Sequence, residues 1–273
     1  MLIPLEDENG KVRLIDDEIE YAIVFTNAGF ISNSLIYYAY RRRKNLQRLN
    51  SLQTRVVVCK NDVTRDNILS IKSEAERLNS KYIGVNNTVI IVGESFSNID
   101  EWLPKFVHEY YDNEVMLKNL KIYIGSTKFN FQEIHTADEE VNKLIVYPFK
   151  DQWHHNALRT LLAIDHECID RLIVCENPTQ DKKFCTECPT CKKLKFDLQM
   201  IVAEHPEDKL IVDRCKRYYK EIFGEDLKRM QAAYNSTTGP FLMDPSKDMI
   251  TKIRPITKMM RNKSTNNSTN EGK

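Results

Sequence analysis

Tyr21-Ala22-Ile23-Val24-Phe25 is a run of five apolar residues between polar neighbours. Nothing polar alternates with them, so both faces of the segment must be covered. That is the pattern of a strand inside a parallel sheet, not of an antiparallel strand with one wet face. A turn over 26–33 and a helix over about 34–49 follow, with Leu35, Tyr38 and Ala39 on one side. The pattern then repeats. Residues 55–59 are a strand, and 64–79 an amphipathic helix with Ile68, Ile71, Ala75 and Leu78 at helical spacing. Further strands are expected at 82–85, 88–92, 120–124 and 144–147. Helices are expected at 99–111, carrying Trp102, Leu103, Phe106 and Val107 as core, and at 151–164, with a short helix end or strand over 169–174. Strands of about five residues alternating with helices predict an α/β fold with a doubly wound, mostly parallel sheet. Ligands of such sheets sit beyond the carboxyl ends of the strands, which puts Thr26, Asn27, Ser32, Asn33, Ser34 and Lys60 at the mouth of a pocket.

Composition narrows the class. Of 273 residues, 41% are hydrophobic, enough for a full core. Lys+Arg 40 against Asp+Glu 39 leaves a net charge of +1, so no global field draws the chain to nucleic acid or membrane. No apolar run reaches the roughly 18–20 residues of a membrane span. The start, Met1-Leu2-Ile3-Pro4, runs into acidic Glu6-Asp7-Glu8 and lacks the flank and core of a secretory signal. The expectation is a reducing, cytoplasmic setting, where clustered thiols bind metal more often than they pair. Four segments are expected: an acidic stretch over 1–20, the α/β domain over 21–174, a metal-binding loop with C-terminal helices over 175–255, and a disordered tail over 256–273 whose composition cannot bury enough surface to fold.

The sharpest signal is Cys175, Cys185, Cys188 and Cys191. Four of the seven thiols fall within seventeen residues, the last three at C-x2-C-x2-C spacing. Two-residue gaps let a tight turn aim successive sulfurs at one point, as a tetrahedral zinc requires. An iron–sulfur cluster uses the same donors. The competing readings are free thiols in a loop or disulfides. A four-thiolate site is coordinatively full, so its role would be to hold the loop. Lys182, Lys183, Lys192 and Lys193 would offset its negative charge. Cys59, Cys168 and Cys215 lie in apolar or helical stretches and read as ordinary packed cysteines.

This C-x9-C-x2-C-x2-C cluster comes after Tyr147-Pro148-Phe149-Lys150, a helix over 151–164 and the strand-and-turn at 21–34. Together they resemble the 7-cyano-7-deazaguanine synthases, which belong to the PP-loop ATP pyrophosphatases. The likeness rests mainly on residues 147–196 and 21–40. It implies a PP-loop, adenine nucleotide alpha hydrolase-like fold, a structural zinc on the four cysteines, and a phosphate cradle at the first helix. That family adenylates a carboxylic acid with ATP and magnesium and turns it into a nitrile with ammonia. Its cradle is Ser-Gly-Gly-x-Asp-Ser. Here the aligned stretch is Gly29-Phe30-Ile31-Ser32-Asn33-Ser34: Ser34 agrees, Asn33 replaces Asp, and Phe30 and Ile31 replace both glycines. A Cβ there blocks the approach of phosphate to backbone. Thr186 stands where the family has Gly after the second cysteine, and Leu194 where it has Arg.

Two functions follow as expectations. One is a catalytically degenerate relative that binds zinc and a nucleotide, deazapurine or protein partner. The other is an active ATP-dependent synthase-like ligase of queuosine or deazapurine biosynthesis, with Ser34 and Asn33 on phosphate. A homodimer is compatible with either. Asp151, His154, His155, His166 and Glu167 have acid–base or ligand chemistry, although adjacent histidines face different sides of a helix and the plain reading is surface or capping histidines. His205 is expected to be exposed, and Tyr218, Tyr219 and Phe223 to be core. The run Arg41-Arg42-Arg43-Lys44 reads as a solvated face. The basic tail, with Lys252, Arg254, Lys258, Arg261 and Lys263, and the Arg41–Lys44 face are the candidate contacts for nucleic acid, a weaker third reading.

Overall fold

The computed structural model describes residues 2–6, 12–16, 18–27, 29–42, 52–81, 84–128, 130–164, 167–171, 175, 177–178, 183–228, 230–235 and 239–243. The described strands are β1 (Leu2–Glu6), β2 (Val12–Asp16), β3 (Glu20–Phe25), β4 (Leu52–Cys59), β5 (Val85–Val92), β6 (Leu120–Tyr123), β7 (Ile145–Val146), β8 (Gln231–Asn235) and β9 (Gly239–Met243). The described helices are α1 (Phe30–Arg42), α2 (Arg65–Lys81), α3 (Ile99–Tyr110), α4 (Glu114–Lys118), α5 (Glu139–Leu144), α6 (His154–Ile164), α7 (Cys168–Arg171), α8 (Pro189–Glu204) and α9 (Lys209–Phe223). Among the described residues, no helix is long and apolar enough to cross a membrane.

Five strands form one parallel sheet in the order β5-β4-β3-β6-β7. Counted along the chain this is 3-2-1-4-5, a doubly wound order whose direction reverses between β3 and β6. β3 is central, and its apolar run has the cause read from the sequence. Tyr21, Ile23 and Phe25 pack with Leu103, Phe106 and Val107 of α3, while Ala22 and Val24, pointing the other way, are just as buried. α1 lies against β3 and β4, and α2 against β5. Each aliphatic side chain buried in this way contributes roughly 1.5–3 kcal/mol relative to an exposed one. α3 forms because Leu103, Phe106 and Val107 recur at i, i+3 and i+4, with Asp100 and Glu101 complementing the dipole in its first turn.

The chain divides into two compact units. One holds residues 1–153 with 170–173, the other 154–169 with 174–273. Residues 154–169 therefore belong with the C-terminal unit, whereas the sequence reading ran the first domain to 174. In the second unit α6, α8 and α9 pack on one another. α9 is bounded by Asp208, whose side chain accepts from the Ile211 amide, and by Gly224 at φ +70°, the left-handed cap glycine adopts most readily.

Several boundaries move. α1 starts at Phe30, four residues before the expected start, because Asn27 organises the preceding turn. The separate strand expected at 88–92 is part of one eight-residue strand, β5, paired throughout with β4. Leu144 ends helix α5, so only Ile145 and Val146 pair with β6. Residues 168–171 are helical. Within the segment 175–255, expected to be helical after the metal loop, the described helices stop at Phe223, and β8 and β9 follow as an antiparallel hairpin. The acidic start contains a second hairpin, β1–β2. The tail over 256–273, residues 43–50, Tyr82, Ile83 and residues 172–174 lie outside the described residues.

Candidate metal centre

Cys175, Cys185, Cys188 and Cys191 place their four sulfurs within 4.8 Å of one another. A tetrahedral zinc–thiolate shell, with bonds of about 2.3 Å, sets sulfurs about 3.8 Å apart. The Cys175 and Cys188 sulfurs are already 4.0 Å apart. Cys175, Cys188 and Cys191 are buried and Cys185 half-buried. None of the four is in a disulfide, and their sulfurs converge on one point. The four can hold a metal ion.

The backbone explains why the sulfurs converge. The amides of Asn177 and Cys185 donate to Cys175 Sγ at 3.4 and 3.2 Å. The Cys188 amide donates to Cys185 Sγ at 3.3 Å, and the Cys191 amide to Cys188 Sγ at 3.4 Å. Amide hydrogen bonds of this kind to the sulfurs fix sulfur direction and offset thiolate charge. Cys188 is also the N-cap of α8, with Pro189 in the first turn, so the positive end of that helix lies at the cluster. The turn between Cys185 and Cys188 needs a left-handed residue, and Thr186 takes that conformation at φ +68°. For a β-branched residue this is a strained choice.

The same geometry sets the thiol acidities. Amide bonds from Cys188 and Glu187 lower Cys185 to about 6. Burial raises Cys175 and Cys191. Away from the cluster, burial pushes both Cys59 and Cys215 up to about 12, so these remain inert protonated thiols. Of the expected compensating lysines, Lys192 is exposed and 3.5 Å from Glu187. Burial lowers Lys193, which faces Asp197. Lys182 lies outside the described residues.

The first helix start is built differently. Asn27 Oδ1 accepts from the Gly29 amide at 3.0 Å and lies 2.9 Å from Ser32 Oγ, which is also 3.1 Å from the Gly29 carbonyl. Ser34 is buried, and its hydroxyl donates to the Phe30 carbonyl at 2.9 Å. Thr26 is buried, its amide bonded to the Val57 carbonyl. The Asn33 side chain lies outside the described residues. At the point where strand order reverses, Gly125 follows β6. A Cβ there would stand 3.1 Å from Ile31 Cγ2 and 3.3 Å from Leu35 Cδ1. Ile31, one of the two residues replacing glycine, thus packs onto the backbone beside this crevice. Lys60 is exposed in a short turn after β4.

His154 and His155 are not surface caps. His154 Nδ1 is 2.5 Å from Asp197 Oδ2, and His155 Nε2 is 2.9 Å from Glu204 Oε2, joining α6 to α8. His155 and Asp197 are buried. His205 is half-buried, 3.5 Å from Glu207, rather than exposed. His166 lies outside the described residues, and Glu167 is exposed. Tyr218 and Tyr219 are core, as expected. Sequence reading missed Asp197 and Glu204, since nothing local pairs an acid with a histidine over forty residues away. The start of α8 at Pro189, capped by Cys188, was likewise missed, since these residues read only as part of the cysteine loop. Comparison with protein-family models, with curated proteins and with solved structures finds no match.

Proposed function

We propose that this protein is a zinc-stapled, catalytically degenerate relative of the 7-cyano-7-deazaguanine synthases, a cytoplasmic scaffold that keeps the lineage's fold and metal and has closed its phosphate cradle. The observation that carries this is the convergence of four thiols, served by backbone amides and a helix start, in a chain whose other described sulfurs stay apart. Four soft donors in a closed shell favour zinc, and a full shell leaves no position for water activation. The sheet order adds support: a doubly wound sheet offers a nucleotide crevice where its order reverses. At that crevice Asn27 holds the turn and Ile31 packs beside Gly125, so the amides a phosphate would need are drawn into internal bonding and bulk. What the scaffold would still bind is a purine, a nucleotide without phosphate-dependent chemistry, or a protein partner.

Two measurements on the purified full chain test this together. Elemental analysis should give about one zinc per chain. Incubation with ATP, magnesium, ammonium and 7-carboxy-7-deazaguanine should release no pyrophosphate above background. Enzyme-like pyrophosphate release would replace the degenerate reading with an active ligase. A well-folded chain with no bound metal would remove the family attribution.

A further inference from the structure

Register pairs Thr54 of β4 with Asn87 of β5, so their side chains share one face of the sheet. Both are more than nine-tenths buried. Thr54 Oγ1, Asn87 Oδ1 and Asn87 Nδ2 are all sealed from solvent and have no hydrogen-bond partner among the described residues. Such atoms are rare in folded proteins, because each costs the desolvation of a polar group with nothing in return. Asn79 of α2 does not relieve them. Its amide is committed to the Asn87 backbone, with Asn79 Oδ1 accepting from the Asn87 amide at 2.6 Å and Asn79 Nδ2 donating to the Asn87 carbonyl at 3.0 Å.

We infer that one buried water molecule is bound between Thr54 and Asn87 and forms part of the lock that fixes the edge strand β5. No direct bond joins the two side chains among the described residues, which leaves both ends of the Asn87 amide and the Thr54 hydroxyl to be met by something else. A water both donates and accepts. It can accept from Asn87 Nδ2 and donate to Asn87 Oδ1 and Thr54 Oγ1, which makes the roughly three bonds typical of internal waters. The division of labour at Asn87 is then complete. Its backbone, on the open side of β5, is taken by Asn79, which fills the place a neighbouring strand would take. Its side chain is taken by the water. A slip of one residue would turn Asn87 to the other face and break both sets of bonds at once.

A crystal structure of the full chain at a resolution that shows ordered water decides the matter. The expected result is a density peak within about 3.2 Å of all three atoms. Water–amide cross-relaxation on labelled protein should show the same molecule as a long-lived contact at the Asn87 side-chain amide. Thr54→Val keeps the shape and removes one bond, and should lose that contact, while Thr54→Ser should keep it. A dry site with Thr54 bonded directly to Asn87 would overturn the inference in the unmodified protein, and so would a water contact unchanged in Thr54→Val.

Discussion

The starts of α1 and α8 are two versions of one device. Each is a turn leading into a helix whose first amides point along the axis, out of its N-terminal end, and carry the positive end of the dipole. At α8 those donors are aimed at sulfurs: the Cys188 and Cys191 amides serve Cys185 and Cys188, and the Cys188 side chain caps the helix. At α1 they are turned inward: Asn27 takes the Gly29 amide and holds Ser32 beside it. A helix start is therefore not a binding site by itself. What matters is whether the residues before it leave its donors pointing outward, and whether an anionic group is supplied to meet them.

The largest break in this comparison comes from the metal loop. Cys188→Ser removes both a candidate ligand and the cap of α8. We expect bound zinc to fall from about one per chain to none, and a loss of more than about 4 kcal/mol of stability, read by elemental analysis and thermal melting. Next is alkaline pH, which separates the clustered thiols from the packed ones. Cys59, Cys215 and Tyr123 are held near 12 by burial, above the ordinary values of 9.0 for the thiols and 10.0 for the phenol. Groups whose pKa is raised in the native state stabilise the fold fully below their unfolded pKa, and that stability is lost as pH climbs towards the native value. Stability should thus fall by a few kcal/mol from about pH 9 to pH 11, with the transition followed by denaturant titration. Cys185 runs the opposite way: held at about 6 against an ordinary 9.0, it favours the fold most above about pH 9, and that contribution is lost as pH falls from there through 6.

Two smaller effects sharpen the contrast. Thr186→Gly places a permissive residue at φ +68° and should stabilise the protein by about 1 kcal/mol, with zinc content unchanged, as measured by paired melts. Asn27→Ala should cost about 0.5–1 kcal/mol by releasing the turn before α1. If the turn at α1 were a working phosphate cradle, the same change would instead weaken ATP binding, which calorimetry would detect. No heat of ATP binding is expected before or after the change.

Much of this molecule was legible without coordinates. Unbroken apolar runs such as 21–25 named the buried strands, since only a strand covered on both faces needs no polar alternation. The spacing of four cysteines named the metal loop, because its geometry is nearly local. The β8–β9 hairpin was not legible, and nor were the two-residue limit of β7 or the shift of 154–169 into the second unit. These depend on which partner strand or helix is within reach. The same holds for His154 with Asp197 and His155 with Glu204: two histidines that read as surface became partners of two acids, across a largely buried seam, once α6 and α8 packed.

By itself, the chain determined its strand–helix alternation and the thiol quartet, because both follow from short-range pattern and the directional demands of neighbouring residues. Only the tertiary structure decided the order 3-2-1-4-5, the packing of Ile31 beside Gly125 and the placing of Thr54 next to Asn87. Those are contacts between segments distant in sequence, and their energies exist only after the sheet has assembled.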